Sequence, residues 1–359
     1  MKTTINSTDL EFLKSYVETP SPSGHETAGQ KVWLDFISPF VDEYFTDISG
    51  SVAAVINPSA KFKVLIEAHV DQVCYYVNYI SKEGNIFVTK IGGADPVIAP
   101  SKRVRIHTKN GDVPGVFGWA AVHVREKNQN TPTETTIYIE AGCSSKKEVL
   151  DLGIDIGCPV TYDETLQVLN NKVVTGPALD NKIGGYVIAK VAKKLSNANV
   201  KLPYSLYIVN SVLEETGMLG ASIMGNKIRP DVAIITDVTH DTQSPMYDKK
   251  KYGDIAIGRG PVLTFAPTVQ KNLLNMIFNV AEKQDIPYQK KAASKSTGTD
   301  DDAFFTSDSG VASALVALPM KYMHTTAETV AMRDVNAAIE LIYHFLIQLP
   351  EHHDFRTLK

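Results

Sequence analysis

The 359-residue chain is 43% hydrophobic and 21% charged, the composition of an ordinary globular protein, and its formal net charge is -4. This balance provides no basic surface for nucleic acid, and no apolar run is as long as a membrane span. Cys74, Cys143 and Cys158 have no paired spacing, and the polar N-terminal segment does not resemble a secretory signal. We therefore expect a cytoplasmic protein that binds neither nucleic acid nor membrane.

The first 71 residues predict the start of an α/β fold. Residues 8–17 and 31–40 carry helical patterns, separated by the breaker sequence TPSPSG. Two strand-like runs follow, GSVAAVI and KVLIEAHVD. The second run is continuously apolar over the length of a strand, which is typical of a strand covered on both faces.

Residues 72–163 differ from their surroundings. Their apolar runs are short and β-rich, they are punctuated by turn signals such as Asn110-Gly111, and a helical pattern occurs only near SKKEVLDLG. The segment has about the length of a small domain. We predict an inserted, barrel-like all-β domain.

From residue 164 onward, helical and strand patterns alternate again. Ile183, Val187, Val191 and Leu195 form one helical stripe. The later predicted strands are YSLYIVNSVL, VAIITDV and SALVALPM, and the later predicted helices are KNLLNMIFNVAEKQ and VNAAIELIYHFLIQL. The predicted fold class is therefore α/β. Residues 1–71 and 164–359 form a mixed, mostly parallel sheet covered by helices, into which the all-β domain is inserted.

Acids and histidines recur where the predicted strands end or a helix begins. They are His69, Asp71, Asp180, Glu214, Glu215, Asp237 and His324. Ligands of open α/β sheets bind beyond the carboxyl ends of the strands, so these side chains should converge. Each residue alone has an ordinary explanation, such as a helix cap or a turn. Their coincidence in five separate segments indicates a metal site.

The residue types indicate which metals and what chemistry to expect. Imidazole and carboxylate groups bind zinc, and also cobalt or manganese. Two histidines and three carboxylates would hold two ions that share one carboxylate, which leaves one acid of the Glu214–Glu215 pair as a general base. The residues alone leave open which of the two is the base. Asp71 is two positions after His69 on the same strand face, where it can accept the second ring N–H.

Five ordered motifs resemble those of a known enzyme family. AHVD, GPALDNKIGG, EETGMLGA, ITDVT and STGTD followed by PMKYMHT are similar to motifs of the tetrahedral (TET) aminopeptidases. This family of co-catalytic dinuclear metallopeptidases includes glutamyl and lysyl aminopeptidases and some members labelled endoglucanase. The resemblance covers nearly the whole chain, including IGGADPVIAPSKRVRIHTKNGDVPGVFG in the inserted region.

The resemblance implies a role for each residue. His69 and Asp237 would bind one metal, Glu215 and His324 the other, and Asp180 would bridge them. Glu214 would activate the water between the metals, and Asp71 would orient His69. These roles imply a catalytic domain of the zinc-exopeptidase type with two divalent ions per chain, which removes N-terminal residues from short peptides.

Further expectations concern the substrate and the assembly. Asp300, in the sequence GTDDD, is a candidate for holding substrate. The family implies a homododecamer in which residues 72–163 serve as the oligomerisation domain. Two other functions remain open: an amidohydrolase or deacetylase that uses the same two metals, and an inactive peptide-binding scaffold.

The sequence also departs from the family pattern beside the expected ligands. Gln72 follows AHVD where an acid is usual, Asn181 replaces an aspartate, and Lys182 replaces an arginine. The late motif reads KYMHT. None of these changes removes an expected ligand or the base.

Overall fold

The computed structural model describes residues 7–125, 131–308 and 310–358. Within them the helices are α1 Ser7–Glu18, α2 Thr27–Ile37, α3 Lys146–Asp151, α4 Leu179–Asn197, α5 Leu219–Ile228, α6 Lys249–Tyr252, α7 Lys271–Lys283, α8 Asp300–Thr306 and α9 Met332–Gln348. A 3-10 turn, Ser38–Phe40, follows α2.

The strands of the described residues belong either to one large sheet or to one barrel. The sheet contains β1 Glu43–Thr46, β2 Val52–Ile56, β3 Lys63–His69, β10 Gln167–Leu169, β11 Val173–Gly176, β12 Ser205–Ser211, β13 Val232–His240, β14 Val262–Phe265, β15 Gln289–Ala292, β16 Ala312–Lys321 and β17 Glu328–Ala331. The barrel contains β4 Cys74–Ile80, β5 Ile86–Ile91, β6 Arg103–Thr108, β7 Gly111–Gly118, β8 Tyr138–Glu140 and β9 Pro159–Tyr162.

The predicted fold class is confirmed, and the large sheet shows where its parallel part lies. The central order is β12-β3-β13-β16, and these neighbours are parallel. The flanking strands β1 and β2 on one side, and β17, β11 and β10 on the other, pair in antiparallel fashion. The parallel centre is therefore the part of the sheet whose strand ends can form a ligand site.

Two helical layers cover the sheet because its central strands are apolar on both faces. Val64 and Ile66 of β3 pack into the core that is shared with α1, α2, α4, α7 and α9. Leu65 points the other way, into a core shared with α5 and α8. The stripe predicted for α4 is buried in the larger core, because helix α4 packs directly on β3 and β13.

The barrel closes around an apolar core of its own. Its strand order is β4-β5-β8-β7-β6-β9, every pair is antiparallel, and its interior is filled by side chains such as Tyr75, Ile86 and Phe117. All six strands lie inside residues 72–163, where the insertion was predicted. Among the described residues, no helix is both long enough and apolar enough to cross a membrane.

An ion-pair cluster joins helix α1 to helix α4. Asp9, which is 4% exposed, accepts hydrogen bonds from Lys190 and, at 3.1 Å, from Lys193. Burial disfavours the charged carboxylate, but the two lysines outweigh this effect and keep the pKa of Asp9 below its usual value.

We expect Asp9→Asn to lower the free energy of unfolding by about 1–2 kcal/mol near neutral pH, a value reduced for the partial exposure of the lysines. Because the pKa of Asp9 is lower in the folded than in the unfolded chain, its ion pairs contribute fully to stability above the unfolded-state pKa. This contribution is lost as the pH falls through the folded-state pKa of Asp9. Urea denaturation should therefore show a smaller difference between variant and wild type at about pH 3. Asp35→Asn, at an exposed position of α2, serves as the control. A difference that is independent of pH would contradict the assignment.

Candidate metal centre

The predicted acids and histidines meet at the carboxyl ends of the central strands. His69 is the last residue of β3, and Asp237 lies on the neighbouring strand β13. Backbone pairing between these strands runs as far as Glu67 and Ile235, so His69 and Asp237 lie just beyond it. The other residues come from segments next to this edge: Asp180 from the start of α4, Glu214 and Glu215 from the β12–α5 loop, and His324 from the β16–β17 loop.

Asp180 lies between the two histidines. Its Oδ1 atom is 3.3 Å from His69 Nε2, and its Oδ2 atom is 3.3 Å from His324 Nε2. The carboxylate is 6% exposed. A carboxylate that presents one oxygen to each of two imidazole nitrogens has the arrangement needed to bridge two ions.

The remaining acids divide between the two histidines. Asp237 Oδ1 and Glu214 Oε2 are each 3.8 Å from His69 Nε2, whereas Glu215 Oε1 is 3.4 Å from His324 Nε2. Two compact groups of possible ligand atoms result, His69 with Glu214 and Asp237, and Asp180 with Glu215 and His324, each within 4.8 Å. The adjacent glutamates thus face different histidines, although both lie in the loop after β12, where the alternation of side chains along a strand does not apply.

The charge of the site fits divalent cations. Burial, together with repulsion from Asp300, Glu215 and Asp180, raises the pKa of Glu214 to about 9. Burial opposes a positive His324, but Asp180 and Glu215 prevail and raise its pKa to about 11. Both raised pKa values show that the clustered carboxylates favour positive charge beside them, which a proton or a metal ion can supply. Glu215 Oε1 is also buried, and apart from its 3.4 Å approach to His324 Nε2 it has no hydrogen-bond partner among the described residues, which suits a metal ligand.

Asp71 connects His69 to the glutamate pair. Its Oδ1 atom is 3.4 Å from His69 Nδ1 and accepts the backbone N–H of Glu214 at 3.0 Å. Its Oδ2 atom accepts the N–H of Glu215 and the Ser23 hydroxyl. The same ring nitrogen also lies 3.1 Å from the carbonyl oxygen of Asp71. Asp71 therefore holds the ring and the two glutamates in one arrangement.

The structure adds a positioning residue that sequence reasoning missed. Glu328, the first residue of β17, is 2% exposed and accepts the N–H of Asp180 at 2.9 Å and that of His324 at 2.7 Å. It therefore links two of the predicted ligands, Asp180 and His324, which are far apart in the sequence. Its signal in the sequence is an acid at the start of an apolar strand, whereas the predicted residues lie at strand ends or at the start of a helix.

The backbone is strained next to three of these residues. Ala178, Leu213 and His324 have positive φ angles of 53°, 60° and 60°, although none of them is glycine. Each such conformation costs on the order of 1–3 kcal/mol and persists only where the surrounding packing enforces it. Positive φ angles also occur at non-glycine residues elsewhere in the described chain, such as Asn57 and Arg229, but at these three positions the strain lies at or beside the predicted ligands.

The departures from the family pattern contact one another or the sheet. Lys182 is fully buried, and its Nζ donates to the Thr19 carbonyl at 2.5 Å and to Gln72 Oε1 at 3.3 Å. Asn181 Nδ2 donates to the Thr236 carbonyl at 2.7 Å. These replacements therefore support the backbone around Asp180 and do not enter the ligand set.

Asp300 lies beneath the site and does not line its cavity. It is 1% exposed, and its Oδ2 atom lies 2.9 Å from Ser211 Oγ, which is also within hydrogen-bond distance of Glu67 and can donate to only one of the two carboxyl groups at a time. Burial and the neighbouring Glu67 raise the pKa of Asp300 well above its usual value. This position is that of a buried support and does not favour the direct contact with substrate that the sequence led us to expect.

A glycine of the inserted domain touches the metal centre. The loop after β5 passes so close to His324 that a Cβ atom at Gly93 would overlap the imidazole ring, at 2.6 Å from Cε1. Only glycine leaves room for the ring in its present orientation. The barrel therefore contributes to the shape of the site.

We expect Gly93→Ala to displace the His324 ring and to reduce peptide turnover by on the order of 10²-fold, because ligand geometry tolerates little movement. Metal content by elemental analysis should fall, while the melting temperature of the metal-free protein should change little. Normal metal content and normal turnover would show that the ring is free to move.

A cavity of about 230 Å³ opens onto the centre. It is lined by Asp180, Glu214, Glu215, Asp237 and His324, and also by Val238, Thr239, His240, Thr264, Lys291, Ala293, Thr297, Gly298, Thr299, Leu315 and Met323. Five of the six predicted ligand and base residues therefore line a space that can admit a small substrate. The sixth, His69, does not line it, but its Nε2 atom lies 3.3 Å from Asp180 Oδ1.

Comparison with known proteins identifies the family to which the chain belongs. The model of the family described as M42 glutamyl aminopeptidase matches residues 50–341. The chain is 32% identical to a lysyl aminopeptidase of Pyrococcus furiosus, over 95% of this chain and 97% of that protein. A TET aminopeptidase from a marine sediment archaeon of the Thaumarchaeota superposes with a TM-score of 0.91 at 25% identity, covering 95% of this chain and 96% of that one.

A second solved structure is a peptidase of Pyrococcus horikoshii that can assemble into a tetrahedron or a large octahedral shell. It has a TM-score of 0.84 and 25% identity, covering 95% of this chain and all of the other. The family match extends over most of the sequence, and the similarity to the P. furiosus enzyme over nearly all of it. The chain therefore belongs to the M42 glutamyl aminopeptidase family of metal-dependent aminopeptidases.

Proposed function

We propose that the chain removes N-terminal residues from short peptides at a site that holds two divalent ions. The observation that carries this proposal is the position of Asp180, whose two oxygens each lie 3.3 Å from a different histidine. His69 and Asp237 would hold one ion, Glu215 and His324 the other, and Asp180 both. Zinc suits this donor set, and so do cobalt and manganese.

Glu214 is the proposed general base. When two divalent ions are bound, they lower the pKa of a nearby water and neutralise charge that develops on the carbonyl oxygen. Glu214 takes a proton from the attacking water and returns it to the leaving amine. Its Oε2 atom lies 3.8 Å from His69 Nε2, beside the ligands, where such a transfer is possible. Asp71 contacts both the His69 ring and the Glu214 backbone N–H, and so fixes their positions relative to each other.

The charge of the cavity supports exopeptidase action. Four carboxylates line it, and the Glu214 carboxylate, which is not among the proposed ligands, can accept a hydrogen bond from a free α-amino group beside the ions. An amidohydrolase or deacetylase would act on acylated amines, which offer fewer N–H donors for this contact.

The test is a panel of free aminoacyl p-nitroanilides and their N-acetylated forms, measured after reconstitution with zinc, cobalt or manganese. We expect turnover of the free forms only. Preferential cleavage of acetylated substrates would favour the amidohydrolase. Absence of turnover, with under one metal per chain, would favour a scaffold.

We also propose that the chain self-associates through its inserted domain, as a homododecamer. The support is twofold: the P. horikoshii relative forms closed shells, and the barrel region exposes apolar side chains such as Tyr79, Val97 and Ile156. Light scattering during size-exclusion chromatography tests this, and a monomer at micromolar concentration would contradict it.

A further inference from the structure

The β12–α5 loop, which carries Glu214 and Glu215, is held through its backbone. At its start Leu213 has a φ angle of 60°, a conformation that persists only where the surroundings enforce it. The N–H groups of Glu214 and Glu215 donate to Asp71, at 3.0 and 3.2 Å. The N–H of Leu213 forms a hydrogen bond with a second acid, Glu26. Two carboxylates from other segments therefore hold three consecutive N–H groups of this loop.

Glu26 does not use its carboxylate for the helix that it precedes. It stands directly before α2 and is 5% exposed. The free N–H groups in the first turn of a helix attract carboxylates, yet within the described residues the Glu26 side chain makes no capping hydrogen bond. Its Oε1 atom instead accepts the N–H of Gly24 at 2.6 Å. The carboxylate is therefore available to the β12–α5 loop.

The segment of residues 23–26 is itself fixed in place. The Ser23 hydroxyl donates to Asp71 Oδ2 at 2.7 Å, which links the segment to the second acid that holds the loop. The Tyr76 hydroxyl of β4 donates to the Ser23 carbonyl at 2.7 Å. Gly24 has a φ angle of 88°, and a Cβ atom there would lie only 2.8 Å from the Tyr76 hydroxyl. Glu26 thus extends from a support that has little freedom to shift.

A carboxyl group at position 26 is unfavourable for the fold by itself. Burial raises the pKa of Glu26 to about 7, although the N–H of Gly24 opposes this effect, and the nearby Asp71 carboxylate adds to it. Glu26 belongs neither to the proposed ligands nor to the proposed proton transfers. A buried acid outside the ligand set that bonds to the residue before Glu214 indicates a role in placing Glu214.

We propose that Glu26 is a positioning residue, which acts through the Leu213 backbone to place the Glu214 carboxylate beside the metal centre. This assignment rests on the proposed function, because it takes Glu214 as the general base. Together with Asp71, Glu26 enforces the strained start of the β12–α5 loop. Loss of its contact therefore affects the proton transfer more than substrate affinity or metal content.

The first test is Glu26→Gln. Glutamine keeps the shape of the side chain, but only its carbonyl oxygen can accept, so the N–H groups of Gly24 and Leu213 cannot both keep their partner. We expect kcat for an aminoacyl p-nitroanilide to fall roughly 10- to 100-fold, the range of a charge-assisted hydrogen bond. KM should stay within about threefold, and the metal content should be unchanged. A rise in KM with unchanged kcat would contradict the assignment.

Glu18→Gln is the matched control. Glu18, the last residue of α1, is also partly buried, and its Oε1 atom accepts a distant backbone N–H, that of Leu166, at 3.0 Å. The same chemical change is thus made in a contact that does not involve the β12–α5 loop. We expect its kcat to stay within about twofold of the wild-type value. A loss equal to that of Glu26→Gln would show that any such contact matters, and the specific role of Glu26 would be wrong.

A double-mutant cycle tests whether Glu26 acts through Glu214. In a Glu214→Gln background the residue to be positioned has lost its function, so adding Glu26→Gln should change the residual turnover by less than about twofold. If the two losses instead multiply, Glu26 acts independently of the base and the assignment is overturned.

Amide hydrogen exchange of the holoenzyme provides a readout that does not depend on turnover. Glu26→Gln should raise the exchange rate of the segment containing Leu213 and Glu214 by roughly tenfold, whereas Glu18→Gln should leave it unchanged. If wild type cleaves no aminoacyl p-nitroanilide although the exchange responds, the proposed function fails while the contact stands. If wild type is active and Glu26→Gln changes neither kcat nor the exchange, the aminopeptidase stands and the positioning role is wrong.

Discussion

Glu214→Gln should keep two metal ions per chain and lose peptide turnover by roughly 10²- to 10⁴-fold, the contribution of a positioned general base. Glutamine has the shape of glutamate but cannot accept the proton of the attacking water. Its backbone N–H can still donate to Asp71, so the geometry of the loop should persist. Elemental analysis and the rate on an aminoacyl p-nitroanilide are the two measurements.

The adjacent residue provides the matched control. Glu215→Gln makes the same chemical change next to a different histidine, 3.4 Å from His324 Nε2, and should lower metal content together with the rate. Glu214 also groups with His69 and Asp237 as a possible metal ligand. The comparison of the two variants therefore decides which glutamate binds metal and which is the base. If Glu214→Gln loses metal and Glu215→Gln retains it, the two roles are reversed. Wild-type turnover by Glu214→Gln would exclude it as the base.

Asp180→Asn should have the largest effect on metal binding. Asparagine offers one carbonyl oxygen and no charge, so the group between His69 and His324 no longer presents two carboxylate oxygens. We expect less than one metal ion per chain after dialysis and a loss of turnover greater than about 10³-fold. Retention of both ions would show that the carboxylate is not shared.

Glu328→Gln gives a graded comparison for the same region. Glu328 touches the Asp180 and His324 backbones and no ligand atom, so its replacement should weaken metal affinity by about 10- to 100-fold without abolishing binding. An effect as large as that of Asp180→Asn would mean that Glu328 is itself a ligand.

The long elements were predictable, whereas the short edge strands were not. Helix α4 and strand β3 carry uninterrupted apolar patterns that local sequence reveals. Strands β11, β14, β15 and β17 have four residues each and no comparable signal. Strands β14 and β17 form because the ten-residue strand β16 offers them backbone groups to pair with, and β15 and β11 pair in turn with β14 and β17. No local pattern records this pairing. Of the antiparallel flanks, only β2 was predicted, in the run GSVAAVI, whereas the parallel centre of the sheet was expected.

The sequence by itself determined the fold class, the inserted β segment and the acids and histidines that converge on one edge. This was possible because side-chain periodicity and strand ends are local properties. Only the tertiary structure decided that Asp180 faces both histidines, that Asp300 is buried as a support, and that Gly93, Glu328 and Lys291 border the site. Those facts depend on distances between segments far apart in the chain, which are set by how the sheet, the barrel and the loops pack together.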